Sequence, residues 1–92
     1  MKTKIEHDKK YQQFTLNLGD DEAELAYSKP DEKTIAFTHT YVPEAARGNG
    51  MADRLIEAGL RYAEAHNLRV VPGCEVVEVF FQRHPEFGRL LK

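Results

Sequence analysis

The chain holds a single cysteine, Cys74, and no tryptophan. One thiol cannot close an internal disulfide, so nothing in the covalent chemistry implies an oxidising compartment, and a cytoplasmic setting is the default expectation. No apolar run approaches the roughly 20 residues that span a bilayer. The opening Met1-Lys2-Thr3-Lys4-Ile5-Glu6 has no apolar segment of the signal-peptide kind. Positive charge is also in short supply: 13 Lys and Arg stand against 15 Asp and Glu, a formal net charge of −2. That removes the usual electrostatic case for nucleic acid or an anionic membrane as partner. His7, His66 and His84 show no ligand spacing with His39 or Cys74, so no metal site is expected. What is present, 41% hydrophobic and 30% charged residues in a chain of 92, suits one globular domain over 1–92 with a single modest core. A chain of this size buries roughly 60–65% of its unfolded surface.

The hydrophobic period changes once along the chain. Lys4 to Asp8 reads as a short edge strand. Phe14, Leu16 and Leu18 alternate with polar residues, as a half-buried strand requires. Gly19-Asp20-Asp21 is a hairpin turn, and Ala23, Leu25 and Tyr27 mark a third strand. Ser28-Lys29-Pro30-Asp31-Glu32 has the chemistry of a turn. The fourth strand runs from Thr34 to Val42, with Ile35, Phe37, His39 and Tyr41 on one face by strict alternation, and Pro43 ends it. From Met51 the period becomes about 3.6. Leu55, Ile56, Gly59, Leu60, Tyr62 and Ala63 form an apolar stripe on a helix to His66, which Asn67 can close in the left-handed conformation. Leu68 to Val71 is then a short buried strand. A strand, a helix and a strand this close together predict a parallel pair with a crossover helix. Cys74 to Arg83 suits a second helix, interrupted at His84-Pro85, and Glu86 to Lys92 is a tail. The fold expected is an α+β mixed sheet of about five strands, an antiparallel meander followed by a β-α-β unit and a C-terminal helix.

Arg47-Gly48-Asn49-Gly50-Met51-Ala52 sits at the junction of the fourth strand and the long helix. Glycines there let backbone approach a ligand closely, and the helix start offers unpaired N–H groups and the positive end of its dipole. This is a ready site for phosphate or pyrophosphate, although glycines also serve plain turns.

Strand, glycine loop and amphipathic helix together resemble the acetyl-CoA-binding motif of the GCN5-related N-acetyltransferases, Gln/Arg-x-x-Gly-x-Gly/Ala, whose fixed positions are filled by Arg47, Gly50 and Ala52. The likeness is closer to the minimal members of that superfamily, of roughly a hundred residues. It rests on Phe37-Thr38-His39-Thr40, Val42-Pro43, Val70-Val71-Pro72-Gly73-Cys74 and Arg83-His84-Pro85-Glu86, four motifs in order between about Lys33 and Glu86. The resemblance implies an acetyl-CoA-dependent acyltransferase acting on an amine, a protein or another nucleophile. The cofactor's pyrophosphate would lie on the amides of Gly48, Asn49, Gly50, Met51 and Ala52, with Val42 and Arg47 beside it and the pantetheine arm between strands four and five. Two departures stand out. Larger members carry helices after the first strand that shape the acceptor site, whereas turns alone join the first strands here. Many also carry a tyrosine on the last helix that returns a proton to the CoA thiolate, where this chain has Phe80 and Phe81.

Cys74 and His39 are the candidate catalytic residues. A thiol opening the last helix gains from the dipole, which favours the thiolate, and His39 on the neighbouring strand can face it as a base. Two routes stay open: Cys74 accepts the acetyl group and passes it on, or His39 serves as general base for direct transfer, with Cys74 supplying the missing proton. The plain readings are a core histidine on an apolar face and an inert small core cysteine. A non-catalytic module that binds or senses CoA or acyl-CoA is the alternative from another functional class.

Overall fold

In the computed structural model, which describes residues 4–92, the chain forms β1 (Ile5–Asp8), β2 (Gln13–Asn17), β3 (Glu22–Asp31), β4 (Thr34–Tyr41), α1 (Met51–Ala65), β5 (Arg69–Pro72) and α2 (Glu75–Arg83). Short 3-10 helices lie at Glu44–Ala46 and Pro85–Leu90. The sequence reading of Met1, Lys2 and Thr3 lies outside the described residues. The strands form one sheet in chain order, antiparallel through β4, with β5 parallel to β4. The expected α+β meander with a β-α-β unit is therefore the observed fold. Among the described residues no helix is long and apolar enough to cross a membrane.

α1 packs across the sheet on β2, β3, β4 and β5, and α2 and the terminal 3-10 helix pack on α1 and on each other. α1, α2 and the terminal 3-10 helix thus lie on one face. The core between the layers contains Phe14, Leu16, Leu25, Ile35 and Phe37 from the strands, with Leu55, Ile56 and Leu60 from α1 and Val77 from α2. Burying a side chain such as Phe37 contributes about 1.5–3 kcal/mol. α1 approaches the sheet so closely that a Cβ on Gly59 would stand 2.7 Å from the Phe37 ring. After α2 the chain returns to the free edge of β5, where Leu91 bridges Val70 and the Lys92 amide donates to the Val70 carbonyl at 3.0 Å.

Two elements differ from the expectations above. β3 does not turn at Ser28 but continues to Asp31, absorbing one extra residue between the pairs Ser28↔Ala36 and Asp31↔Thr34. Pro30 is tolerated there because an irregularity asks for no regular ladder bond. The second difference concerns β4. Ala26 pairs with His39 and Tyr27 with Phe37, so Thr38 is an unmatched residue, a β-bulge. Residues paired across strands share a face, so the bulge reverses the inside–outside order. Phe37 points to the helices. Beyond it Thr40, opposite the buried Leu25, does so instead, while His39 and Tyr41 turn to the other face.

The far end of the helix layer is closed by aromatic packing. The His7 ring stacks on Phe14 at 4.2 Å and meets Tyr62 edge-on at 4.5 Å. Its Nε2 lies 2.5 Å from the Tyr27 hydroxyl. Burial first, then the nearby Lys9 charge, lowers the pKa of His7 below the usual 6.5.

Candidate functional site

Two features meet at the C-terminal ends of β4 and β5. The first is the glycine loop. Gly48 and Gly50 have φ of 87° and 73°, a left-handed conformation that costs other residues roughly 1–2 kcal/mol. A Cβ built on either meets nothing within 4 Å. The backbone conformation therefore demands these glycines, and the space before them is free. Gly50 enters α1 with no side-chain cap, and the Arg54 amide donates back to its carbonyl at 3.0 Å. The first amides of α1 are thus oriented as an anion site requires.

A pocket of about 290 Å³ opens here, lined by Val42, Arg47, Gly48, Gly50, Met51 and Ala52, six of the seven residues expected to hold a cofactor. The seventh, Asn49, turns away: its Nδ2 donates to the Ala46 carbonyl at 3.3 Å, and it borders a separate groove on the other side of the loop. Arg47 folds back on the end of β4, its Nε donating to the Val42 carbonyl at 3.1 Å. Besides Ala46, two charged residues join the lining that the sequence reading had not placed there. Asp53 does so from the first turn of α1, and Arg83 from the last turn of α2. Arg83 stood in the fourth motif of the resemblance without a role assigned to it, and as a cation closing a helix it is explained by the dipole alone. With two guanidiniums, free amides and open space before the glycines, the donor set fits a pyrophosphate.

The second feature is the parting of β4 and β5. Their pairing ends at Phe37↔Pro72, while β4 runs on to Tyr41. The close approach at that end is set by Gly73, whose Cβ would lie 3.0 Å from the Phe37 carbonyl oxygen. Cys74 follows as the half-buried N-cap residue of α2. Its Sγ lies 3.6 Å from Thr40 Oγ1, within reach of a hydrogen bond in either direction. The expected His39–Cys74 dyad is not formed, because the bulge at Thr38 turns His39 to the opposite face and presents Thr40 to the thiol. A reading by strict alternation had no means of finding Thr40.

His39 is exposed on the face away from the helices, next to Tyr41. The Tyr41 hydroxyl donates to Asp21 Oδ2 at 3.3 Å, and the Asp21 charge is the main cause raising the Tyr41 pKa above its usual 10.0. His84 closes α2, its amide donating to the Phe80 carbonyl and its ring lying against Phe80. Among the described residues no three His, Cys, Asp or Glu side chains converge as metal ligands would.

Comparison with known proteins bears on this geometry. The family model described as GCN5-related N-acetyl-transferase matches residues 13–90. Protein NATD1 of Danio rerio is 34% identical over 84 residues, covering 89% of this chain and 76% of its own. Protein NATD1 of Homo sapiens is 31% identical over 84 residues, with 89% and 74% covered. The NMR solution structure of a GCN5-like putative N-acetyltransferase from Staphylococcus aureus superposes with a TM-score of 0.72 over 97% of this chain and 87% of that one, at 22% identity. On the family match over most of its length, with the relatives and the fold in agreement, this chain belongs to the GCN5-related N-acetyltransferase family.

Proposed function

We propose that the chain transfers an acetyl group from acetyl-CoA to an amine, without an enzyme-bound acetyl intermediate. The observation that supports this reading best is the uncapped, glycine-entered start of α1 beside the parting of β4 and β5, where Cys74 lies. In this reading the backbone amides of 48–52 hold the pyrophosphate with Arg47 and Arg83, while the Asn49 side chain turns away. Val42 flanks the arm that passes between the strands. Acetyl-CoA supplies an activated thioester. His39, free on the far side of β4, takes the proton from the incoming ammonium or amine. Cys74, steadied by Thr40, stands on the helix side, where a proton must be returned to sulfur. The separation of His39 from Cys74 favours direct transfer over an acyl-cysteine route, because no base touches the thiol.

The same separation lends some support to a second reading, a module that binds CoA or acyl-CoA without turnover. Cys74→Ala and Cys74→Ser, each checked for fold and CoA affinity, separate these readings. Direct transfer with Cys74 as proton donor predicts at least a tenfold loss of acetyl-CoA consumption in both variants with binding intact. A wild-type mass increase of one acetyl group, reversed by hydroxylamine, would instead establish the acyl-cysteine route. Binding with no turnover against any amine or peptide N-terminus would leave the binding module.

A further inference from the structure

The sheet face opposite the helices is uncovered, and acidic residues outnumber basic ones between β1 and β3. Glu6, Thr15, Glu24 and Tyr41 form one cross-strand row on it, and Asp8, Gln13, Ala26 and His39 form the next. Between β1 and β3 this face opens into a groove of about 720 Å³ whose lining includes Glu6, Asp8, Lys9, Tyr11, Thr15 and Glu22. Three carboxylates there face one cation. Among the described residues Glu6, Glu22 and Glu24 have no ion-pair partner. On the helix side, by contrast, Glu57 pairs with Arg61 and Glu64 with Arg89. Tyr11, 68% exposed, stands at the rim of the groove, and the Lys10 ammonium lies 5.6 Å from its ring centre, so an incoming cation would share that ring.

We infer that this face docks a lysine- or arginine-bearing polypeptide segment, laid across the strands so that its amine reaches His39. The inference rests on the acetyl-transfer reading for the position of the amine, and on the charge and shape of the face for the occupant. A small free amine needs an enclosing pocket to be held. This face offers instead an open groove, and in the row that leads from Asp8 to His39 only Gln13 and the small Ala26 intervene. Strands spaced about 4.8 Å apart put β1 roughly 14 Å from β4. An extended peptide covers that in four or five residues at about 3.3 Å each. The preferred substrate therefore carries a basic residue four or five positions from the lysine or N-terminus that accepts the acetyl group. The cofactor pocket, with Arg47 and Arg83, has the opposite sign, so the two ligands are sorted to opposite sides of β4 by charge.

The test uses the full chain loaded with CoA and a fluorescein-labelled Gly/Ser peptide with a central lysine. One version has lysines four and five residues to one side, and the other has glutamates there. Fluorescence anisotropy at low salt should show binding of the lysine peptide alone. The double variant Glu6→Gln/Glu22→Gln should weaken it about fivefold, the sum of two exposed charge contacts. The difference should shrink in 0.5 M salt, where the screening length drops to a few ångströms. CoA affinity should be unchanged. Equal binding of the glutamate peptide, an unaffected double variant, or displacement by spermidine at lower concentration than by unlabelled peptide would overturn the proposal, the last pointing to a small polyamine. Docking without acetyl transfer to any acceptor would sink the enzymatic reading and leave the docking face standing. Transfer to free amines without peptide docking would do the reverse.

Discussion

The two helices that follow β4 and β5 begin in opposite electrostatic states. α1 is entered through a left-handed glycine, has one acid in its first turn (Asp53), and opens into a pocket that also holds Arg47 and Arg83. α2 is entered through Cys74 in an extended conformation and carries two acids, Glu75 and Glu78, in its first turn. The Cys74 carbonyl already accepts from the Val77 and Glu78 amides at 3.0 Å each. Neither helix has a side-chain cap, so both dipoles are available, but only that of α1 is left for a ligand. Glu75 and Glu78 complement the dipole of α2 from within the chain. The start of α1 is therefore left positive, and the start of α2 is neutralised by the chain's own acids.

The contrast is broken most completely at α1. Gly50→Asp places a carboxylate where an anion is expected and forces a left-handed φ on a residue with a Cβ. CoA affinity should fall by about a hundredfold, roughly 2–3 kcal/mol. Calorimetric titration with unchanged affinity would mean that the phosphates lie elsewhere. Next in size is Gly73→Ala. Its Cβ would press to 3.0 Å from the Phe37 carbonyl, shifting the start of α2 against β4 and costing about 1–3 kcal/mol in a denaturant titration. If stability is retained, the close approach at Gly73 is not what fixes α2.

Glu75→Gln/Glu78→Gln sharpens the comparison by making the second helix start resemble the first. Loss of the dipole complement should cost about 0.3–1 kcal/mol per residue. Iodoacetamide should also label Cys74 a few-fold faster, since the thiol reacts as an anion. An unchanged labelling rate would show that the two acids do not govern the thiol. The smallest effect concerns pH and should leave both helix starts alone. His7 has a lowered pKa in the fold, so between that value and 6.5 the unfolded chain binds the more protons. Its contribution is complete above pH 6.5 and is lost as pH falls through the folded value. Thermal melts should show a decline below pH 6.5 that His7→Phe reduces, with CoA affinity steady over the same range.

How far the sequence could be read depended on whether a feature was local. The 3.6 period placed α1 to within a residue of its end, and Asn67 does take the left-handed conformation after it, with φ of 56°. The glycine loop was legible because its chemistry lies in six consecutive residues. The bulge at Thr38 was not. A period of two carries its parity silently past an inserted residue, and only the partner strand reveals the mismatch. That one residue decided which side chain meets Cys74. Arg83 was missed because it reaches the loop through the packing of α2 on α1, a contact between segments some thirty residues apart. β3 outran the expected turn because sheet pairing overrode the turn chemistry of Lys29-Pro30.

The return of the chain to β5 after α2 also bears on how copies of the protein avoid one another. An exposed strand edge is a template for pairing with a second chain, and Val70-Val71 would make β5 an inviting one. Leu91 and Lys92 occupy part of that edge, and they are tied down from several sides. Arg69 donates to the Arg89 carbonyl at 2.7 Å, and Lys92 Nζ reaches Asp31 at 3.5 Å and Thr34 at 3.3 Å. The opposite edge is guarded differently: β1 is only four residues long and carries Glu6 and Asp8. One border of the sheet is latched by its own tail and the other is kept short and charged, so the two ends resist stacking into fibres by unrelated means.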